Sequence, residues 1–159
     1  MKKVLFVCLG NICRSPAAEG VFRTLVTQQG LAQKIHADSA GTGNWHAGDA
    51  PDGRMIEHAK KRGYDLSQLA ARQIATPQDL QEFDYILTMD HANFKNVRAL
   101  DTKAQYHGKI QPLTNFCIVH NASEVPDPYY SDQNGFEYVL DLLEDACQGF
   151  LDHLKKELA

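Results

Sequence analysis

Residues 3–16 read Lys3-Val4-Leu5-Phe6-Val7-Cys8-Leu9-Gly10-Asn11-Ile12-Cys13-Arg14-Ser15-Pro16, a strand, a turn and the start of a helix in succession. Residues 3–8 are a short β-branched and aromatic apolar run without polar alternation, the pattern of a strand buried on both faces of a parallel sheet. Gly10 and Asn11 break it. Ser15 then reads as a helix N-cap, Pro16 as the first helical residue, and Glu19 as a carboxylate one residue past capping-box spacing but well placed for the helix dipole. Ala18, Val21, Phe22, Leu25 and Val26 give the helix its buried stripe, and Gly30 its stop.

Working outward, residues 35–40 read as a second strand and residues 41–51 as a polar loop holding the single tryptophan, Trp45. Residues 53–62 form a short helix ended by Gly63, with Lys60, Lys61 and Arg62 as an exposed basic end that suits the dipole. Residues 77–83 suggest a helical turn, 83–89 a third strand, 90–100 a helix and 109–113 a weaker fourth strand. From Phe136 onward, Val139, Leu143, Ala146, Phe150, Leu154 and Leu158 recur in steps of three and four, the stripe of a terminal helix. Strands alternating with helices predict an α/β three-layer sandwich, a four-stranded parallel sheet with helices on both faces. Ligands of such folds sit at the carboxyl ends of the strands, where residues 8–15 fall.

A length of 159 residues, 43% hydrophobic and 23% charged, suits one globular domain over residues 1–159. The net charge of −4 argues against nucleic-acid binding. That charge is uneven: residues 124–159 carry a net −7 and residues 1–123 a net +3. The early apolar run is too short for membrane insertion or a signal-peptide core, so a cytoplasmic protein is expected. Cys8, Cys13, Cys117 and Cys147 are too sparse for a disulfide scaffold, and no histidine pair has zinc-ligand spacing. Cys117, Cys147 and all seven histidines read as structural or solvated.

The segment 8–15 joins a thiol, five residues, a guanidinium and a hydroxyl to the start of a helix. A loop curling from strand into helix turns backbone N–H groups inward, a nest for a tetrahedral oxyanion. Gly10 and Asn11 tolerate the left-handed conformations this needs, and Arg14 offers a planar fork to phosphate oxygens. Cys8 would sit in an electropositive cup that favours the nucleophilic thiolate. The ATP/GTP phosphate loop is excluded, because its G-x4-G-K-[ST] pattern is missing. Phosphoester cleavage also needs an acid for the leaving group. Asp127, in Val125-Pro126-Asp127-Pro128-Tyr129-Tyr130, qualifies, with Tyr129 and Tyr130 able to wall a slot for an aromatic ring.

These residues resemble the low-molecular-weight protein tyrosine phosphatases over nearly the whole chain. The resemblance rests on C-L-G-N-I-C-R-S at 8–15, Asp38-Ser39-Ala40-Gly41-Thr42, Ala71-Arg72-Gln73, Phe83-Asp84-Tyr85-Ile86-Leu87 before Met89-Asp90, and Asp127-Pro128-Tyr129-Tyr130. It implies that Cys8 attacks phosphorus while Asp127 protonates the tyrosyl oxygen, and that Asp127 then activates water to release phosphate. Arg14 and the loop formed by Leu9, Gly10, Asn11, Ile12 and Cys13 would hold the phosphate, with no cofactor or metal. Ser15 would donate to the departing thiolate, Ser39 would bond Asn11, and Trp45, Tyr129 and Tyr130 would wall the substrate. Cys13 would trap oxidised Cys8 as a reversible disulfide. Many relatives carry a histidine where this chain has Leu69, which puts the support of Asn11 in question.

The implied partners are tyrosine-phosphorylated proteins, with a bacterial tyrosine autokinase of polysaccharide assembly as the specific candidate. Arsenate reductases share the loop but need relay cysteines, and Cys117 and Cys147 form no obvious pair. Protein arginine phosphatases tend to carry Thr in place of Ile12 and lack the paired tyrosines. A non-enzymatic phosphoprotein-binding module would need neither Cys8 nor Asp127.

Overall fold

Val4, Leu5, Phe6 and Val7 are all fully buried, and their side chains divide between two cores. Val4, Phe6 and Cys8 enter one, with Phe22, Met55 and Phe150; Leu5 and Val7 enter the other, with Leu80, Phe83 and Val97. A strand buried on both sides has no polar face, which is why the run shows no alternation. The computed structural model describes residues 1–159.

This first strand, β1 (Lys2–Cys8), lies between β2 (Ile35–Gly41) and β3 (Tyr85–Thr88), and β4 (Ile110–Pro112) pairs with β3. All pairings are parallel and the strand order is β2-β1-β3-β4. Helices α1 (Arg14–Gln28), α2 (Gly53–Lys61) and α5 (Gln133–Leu158) cover one face, while the short α3 (Gln78–Glu82) and α4 (His91–Leu100) cover the other. The expected α/β sandwich with a four-stranded parallel sheet is therefore the observed fold. The register sets Cys8 opposite Gly41 and Val7 opposite Thr88, so three strands end together at one edge.

Four local expectations change. Helix α1 begins at Arg14 with Cys13 as its cap residue, and no side chain caps it. Ser15 lies inside the first turn because its hydroxyl is committed to the Cys8 sulfur and the Asn11 amide. Glu19 is buried against Ser39, beyond reach of the helix end. Arg62 is a clamp rather than a solvated helix end: it pairs with Glu137, Asp141 and Glu144 of α5 at 2.8, 2.9 and 2.6 Å. Helix α5 starts before its apolar stripe because Asp132 accepts from the N–H groups of Asn134 and Gly135. No helix is long and apolar enough to cross a membrane.

Candidate active site

The loop between β1 and α1 is held by its carbonyls. Those of Cys8, Leu9, Ile12 and Cys13 accept from the N–H groups of Thr42, Gly43, Asp52 and Ala17 at 2.9, 2.9, 2.7 and 3.2 Å. Across each planar trans peptide the following N–H points the opposite way. The N–H groups of Leu9, Gly10, Cys13 and Arg14 thus turn from those partners, and none donates to another backbone carbonyl. A ring of such donors at a helix start is an oxyanion nest. Asn11 alone takes the left-handed conformation, at φ 58°; Gly10 does not need it. Gly41 is required for contact instead, since a β-carbon there would come 2.6 Å from the Leu9 carbonyl oxygen.

Behind the nest, Asn11 is fully bonded. Its amide nitrogen donates to Ser15 Oγ at 2.8 Å and Ser39 Oγ at 3.0 Å, and its oxygen accepts from the Arg72 backbone N–H at 3.0 Å. Leu69 packs at the edge of the core. The absent histidine thus leaves no gap in the hydrogen bonding of Asn11. The Ser39 hydroxyl in turn donates a hydrogen bond to Glu19 Oε1 at 2.7 Å. Burial raises the pKa of Glu19, against the opposing pull of Ser39 and Arg23. Because Ser15 Oγ accepts from Asn11, its proton is free for Cys8 Sγ at 2.9 Å, a better partner than the Ala40 carbonyl at 3.4 Å. The Asn11 N–H also faces Sγ, at 3.3 Å.

Arg14 is 3% exposed. Its Nη1 donates to Asp90 Oδ2 at 2.6 Å and to the Val125 carbonyl at 3.0 Å, while Nη2 lies 3.7 Å from Asp127 Oδ2. Burial disfavours the guanidinium charge, but Cys8, Asp90 and Asp127 outweigh it and raise the pKa further. Arg14 stays a cation.

Cys8, Leu9, Gly10, Ile12, Cys13 and Arg14 form the floor of a pocket of about 200 Å³, with Trp45, His46, Asp127, Tyr129 and Tyr130 as walls. Trp45 and Tyr130 are 70% and 99% exposed, at the rim. The Tyr129 ring meets Tyr130 edge-on at 5.0 Å. Gly43 lets Trp45 fold back on the loop, since a β-carbon there would overlap the indole. Asn11, Ser15 and Ser39 stand behind the lining. The two loop cysteines differ: burial and the charges of Asp52, Asp127 and Cys8 push Cys13 up to about 12, so it remains a thiol. Cys117 and Cys147 pack on the α5 side of the sheet, outside the pocket.

With this geometry in view, the sequence matches the family model for low molecular weight phosphotyrosine protein phosphatase over residues 3–159. The chain belongs to this family. It is 42% identical over 158 residues to a low molecular weight protein-tyrosine-phosphatase of Bacillus subtilis, covering 99% of this chain and 98% of the relative. A crystal structure of a protein tyrosine phosphatase from Entamoeba histolytica, with Hepes in its active site, superposes over all of both chains at TM-score 0.95 and 41% identity. A Drosophila arginine phosphatase also superposes, at TM-score 0.89 and 34% identity over 98% of each chain.

Two residues of the site in this low molecular weight phosphatase, Asp90 behind Arg14 and His46 in the pocket wall, were given no part in the site by the sequence. Asp90 was read as the start of α4 and as part of the Met89-Asp90 match, without a role, and it does cap that helix through Oδ1 to the Asn93 N–H at 2.8 Å. Its other oxygen holds Arg14. The available signal was its place just past β3, at the ligand-binding edge of the sheet. His46, read as structural or solvated, lines the pocket beside Gly10 and contacts Asp49 at 3.3 Å. No spacing marked it.

Proposed function

We propose that this chain hydrolyses phosphotyrosine in proteins to tyrosine and phosphate through a phosphocysteine intermediate, with residues 1–159 acting as one phosphatase domain. The observation that carries this reading is the meeting of Cys8, Arg14 and Asp127 in one aromatic-walled pocket. In the first step Cys8 Sγ attacks phosphorus, an S–P bond forms, and the P–O bond to tyrosine breaks as Asp127 gives its proton to the phenolic oxygen. Arg14 and the loop N–H groups neutralise the equatorial oxygens. In the second step water attacks phosphorus, Asp127 takes its proton, and the S–P bond breaks. The departing thiolate is received by the Ser15 hydroxyl and the Asn11 N–H. Phosphate leaves and both groups return to their starting forms.

Because the fold is shared with an arginine phosphatase, substrate choice rests on the walls. Ile12 and the Tyr129 and Trp45 rings offer apolar surface to an aromatic side chain and no carboxylate to a guanidinium. Asp127 is the one acid in the lining. The test compares kcat/KM on phosphotyrosine, phosphoarginine and phosphoserine peptides. Phosphotyrosine should lead and Cys8→Ser should be inactive; preference for phosphoarginine, or turnover by Cys8→Ser, overturns the reading. Four unpaired cysteines support a reducing, cytoplasmic setting. Resemblance to bacterial members supports a tyrosine autokinase of polysaccharide assembly as the partner. Capture of that kinase in lysate by Cys8→Ser tests this, and its consistent absence among trapped phosphoproteins counts against it.

A further inference from the structure

The acid of this pocket sits on a weakly tethered segment. Between Pro126 and Ser131, one hydrogen bond reaches the rest of the protein: Arg54 Nη2 donates to the Tyr129 carbonyl at 2.9 Å. Other ties are the 3.7 Å approach of Asp127 to Arg14, the Arg54 guanidinium over the Tyr129 ring and the packing of Ser131 and Pro128 on Gly135. Within the segment, the Tyr129 N–H donates to Asp127 Oδ1 at 3.1 Å. One residue, Tyr129, therefore joins Arg54 through its carbonyl to Asp127 through its N–H.

Arg54 is itself fixed on both sides. Its Nε and Nη2 grip Asp52 Oδ1 and Oδ2 at 3.1 and 2.9 Å, a bidentate pair that lowers the Asp52 pKa. The backbone N–H of Asp52 donates to the Ile12 carbonyl at 2.7 Å, in the phosphate loop. The guanidinium also lies 4.8 Å from the Phe136 ring centroid and 5.4 Å from that of Tyr129. The path runs from Ile12 through Asp52, Arg54 and Tyr129 to Asp127.

We propose that Arg54 is a positioning residue that holds the Asp127 carboxyl in register with the phosphate loop, acting on proton delivery to the leaving group rather than on phosphate binding. This rests on the reading of Asp127 as the proton donor. A lysine cannot replace it fully, because a point charge cannot grip both Asp52 oxygens and reach the Tyr129 carbonyl at once.

The test uses the full chain and two substrates, p-nitrophenyl phosphate, whose phenol leaves readily, and phenyl phosphate, whose phenol is about as basic as tyrosine at a pKa of about 10. kcat/KM reports the steps through phosphocysteine formation. Arg54→Met keeps apolar bulk against Phe136 and removes every donor. It should stay within about threefold of wild type on p-nitrophenyl phosphate and fall about tenfold or more on phenyl phosphate, part of the roughly 100-fold or greater effect of a general acid. Arg54→Lys should fall between. Equal losses on both substrates, whether from misfolding or lost phosphate binding, overturn the inference, as does no loss on either. Asp127→Ala separates the two readings: if it too loses equally on both substrates, the proton-donor assignment fails; if it discriminates and Arg54→Met does not, only the role of Arg54 fails.

Discussion

Replacing Asn11 with alanine removes three side-chain hydrogen bonds, two of them buried and one part-buried, and puts an L-configured side chain without a polar group at φ 58°. The Arg72 N–H loses its acceptor, Ser15 loses one of three partners and Ser39 one of two. At about 1 kcal/mol per net hydrogen bond, this part costs about 3 kcal/mol. Left-handed strain adds about 1 kcal/mol. Asn11→Ala should therefore lose about 4 kcal/mol, a fall in Tm of about 10 °C for a chain of this size. Asn11→Gly separates the two parts: it relieves the strain of about 1 kcal/mol but adds about 0.4–1 kcal/mol of unfolded-chain entropy, so it should be better than alanine by about 0.3 kcal/mol. Urea unfolding followed by circular dichroism measures both. Activity should fall too, mostly in kcat, because the Ser15 proton is no longer directed at Sγ. Alanine within about 1 kcal/mol of wild type would refute the account of Asn11 as the buttress of the loop.

Asp127→Ala should cut turnover of phosphotyrosine peptides about 100-fold or more with binding largely kept, and unchanged turnover removes its assigned role. Peroxide followed by thiol blocking and peptide mapping should reveal a Cys8–Cys13 link; sulfinic or sulfonic Cys8 alone contradicts the protective role of Cys13. Asp145 accepts from the N–H groups of Ile118, Val119 and His120 and from the His120 ring, and these donors overcome burial to hold its pKa at about 2. A depressed carboxylate stabilises fully above its unfolded pKa and loses that contribution as pH falls toward its folded one. Asp145→Asn should thus cost about 2 kcal/mol at pH 7 and flatten the stability loss between about pH 4 and pH 2; an unchanged acid limb refutes this.

The elements legible in the sequence were those whose signal is local. The unalternating run of β1 follows from burial on two faces, and the stripe of α5 from packing one side against α1, where Phe150 meets Phe22 at 5.5 Å. The loop from Cys8 to Ser15 was legible as a candidate site because its thiol, guanidinium and hydroxyl are contiguous in the chain. What could not be read was set by residues distant in the chain. Ser15 fits an N-cap by local preference, but Asn11 and Cys8 claim its hydroxyl. Asp90 looks like any helix cap until Arg14, 76 residues earlier, is placed beside it. Arg62 ends a helix in a basic cluster, yet three carboxylates of α5 surround it. Periodicity reports which face is buried and carries nothing about which polar groups meet across the fold.

Rapid acid quench of the enzyme with a phosphotyrosine peptide tests directly whether the phosphoryl group passes through Cys8. Digestion and mass spectrometry should find phosphate on the peptide containing Cys8, more of it in Asp127→Ala supplied with an easily leaving aryl phosphate, because hydrolysis of the intermediate then lacks its base. Phosphate on another residue, or wild-type turnover by Cys8→Ser, would contradict the account.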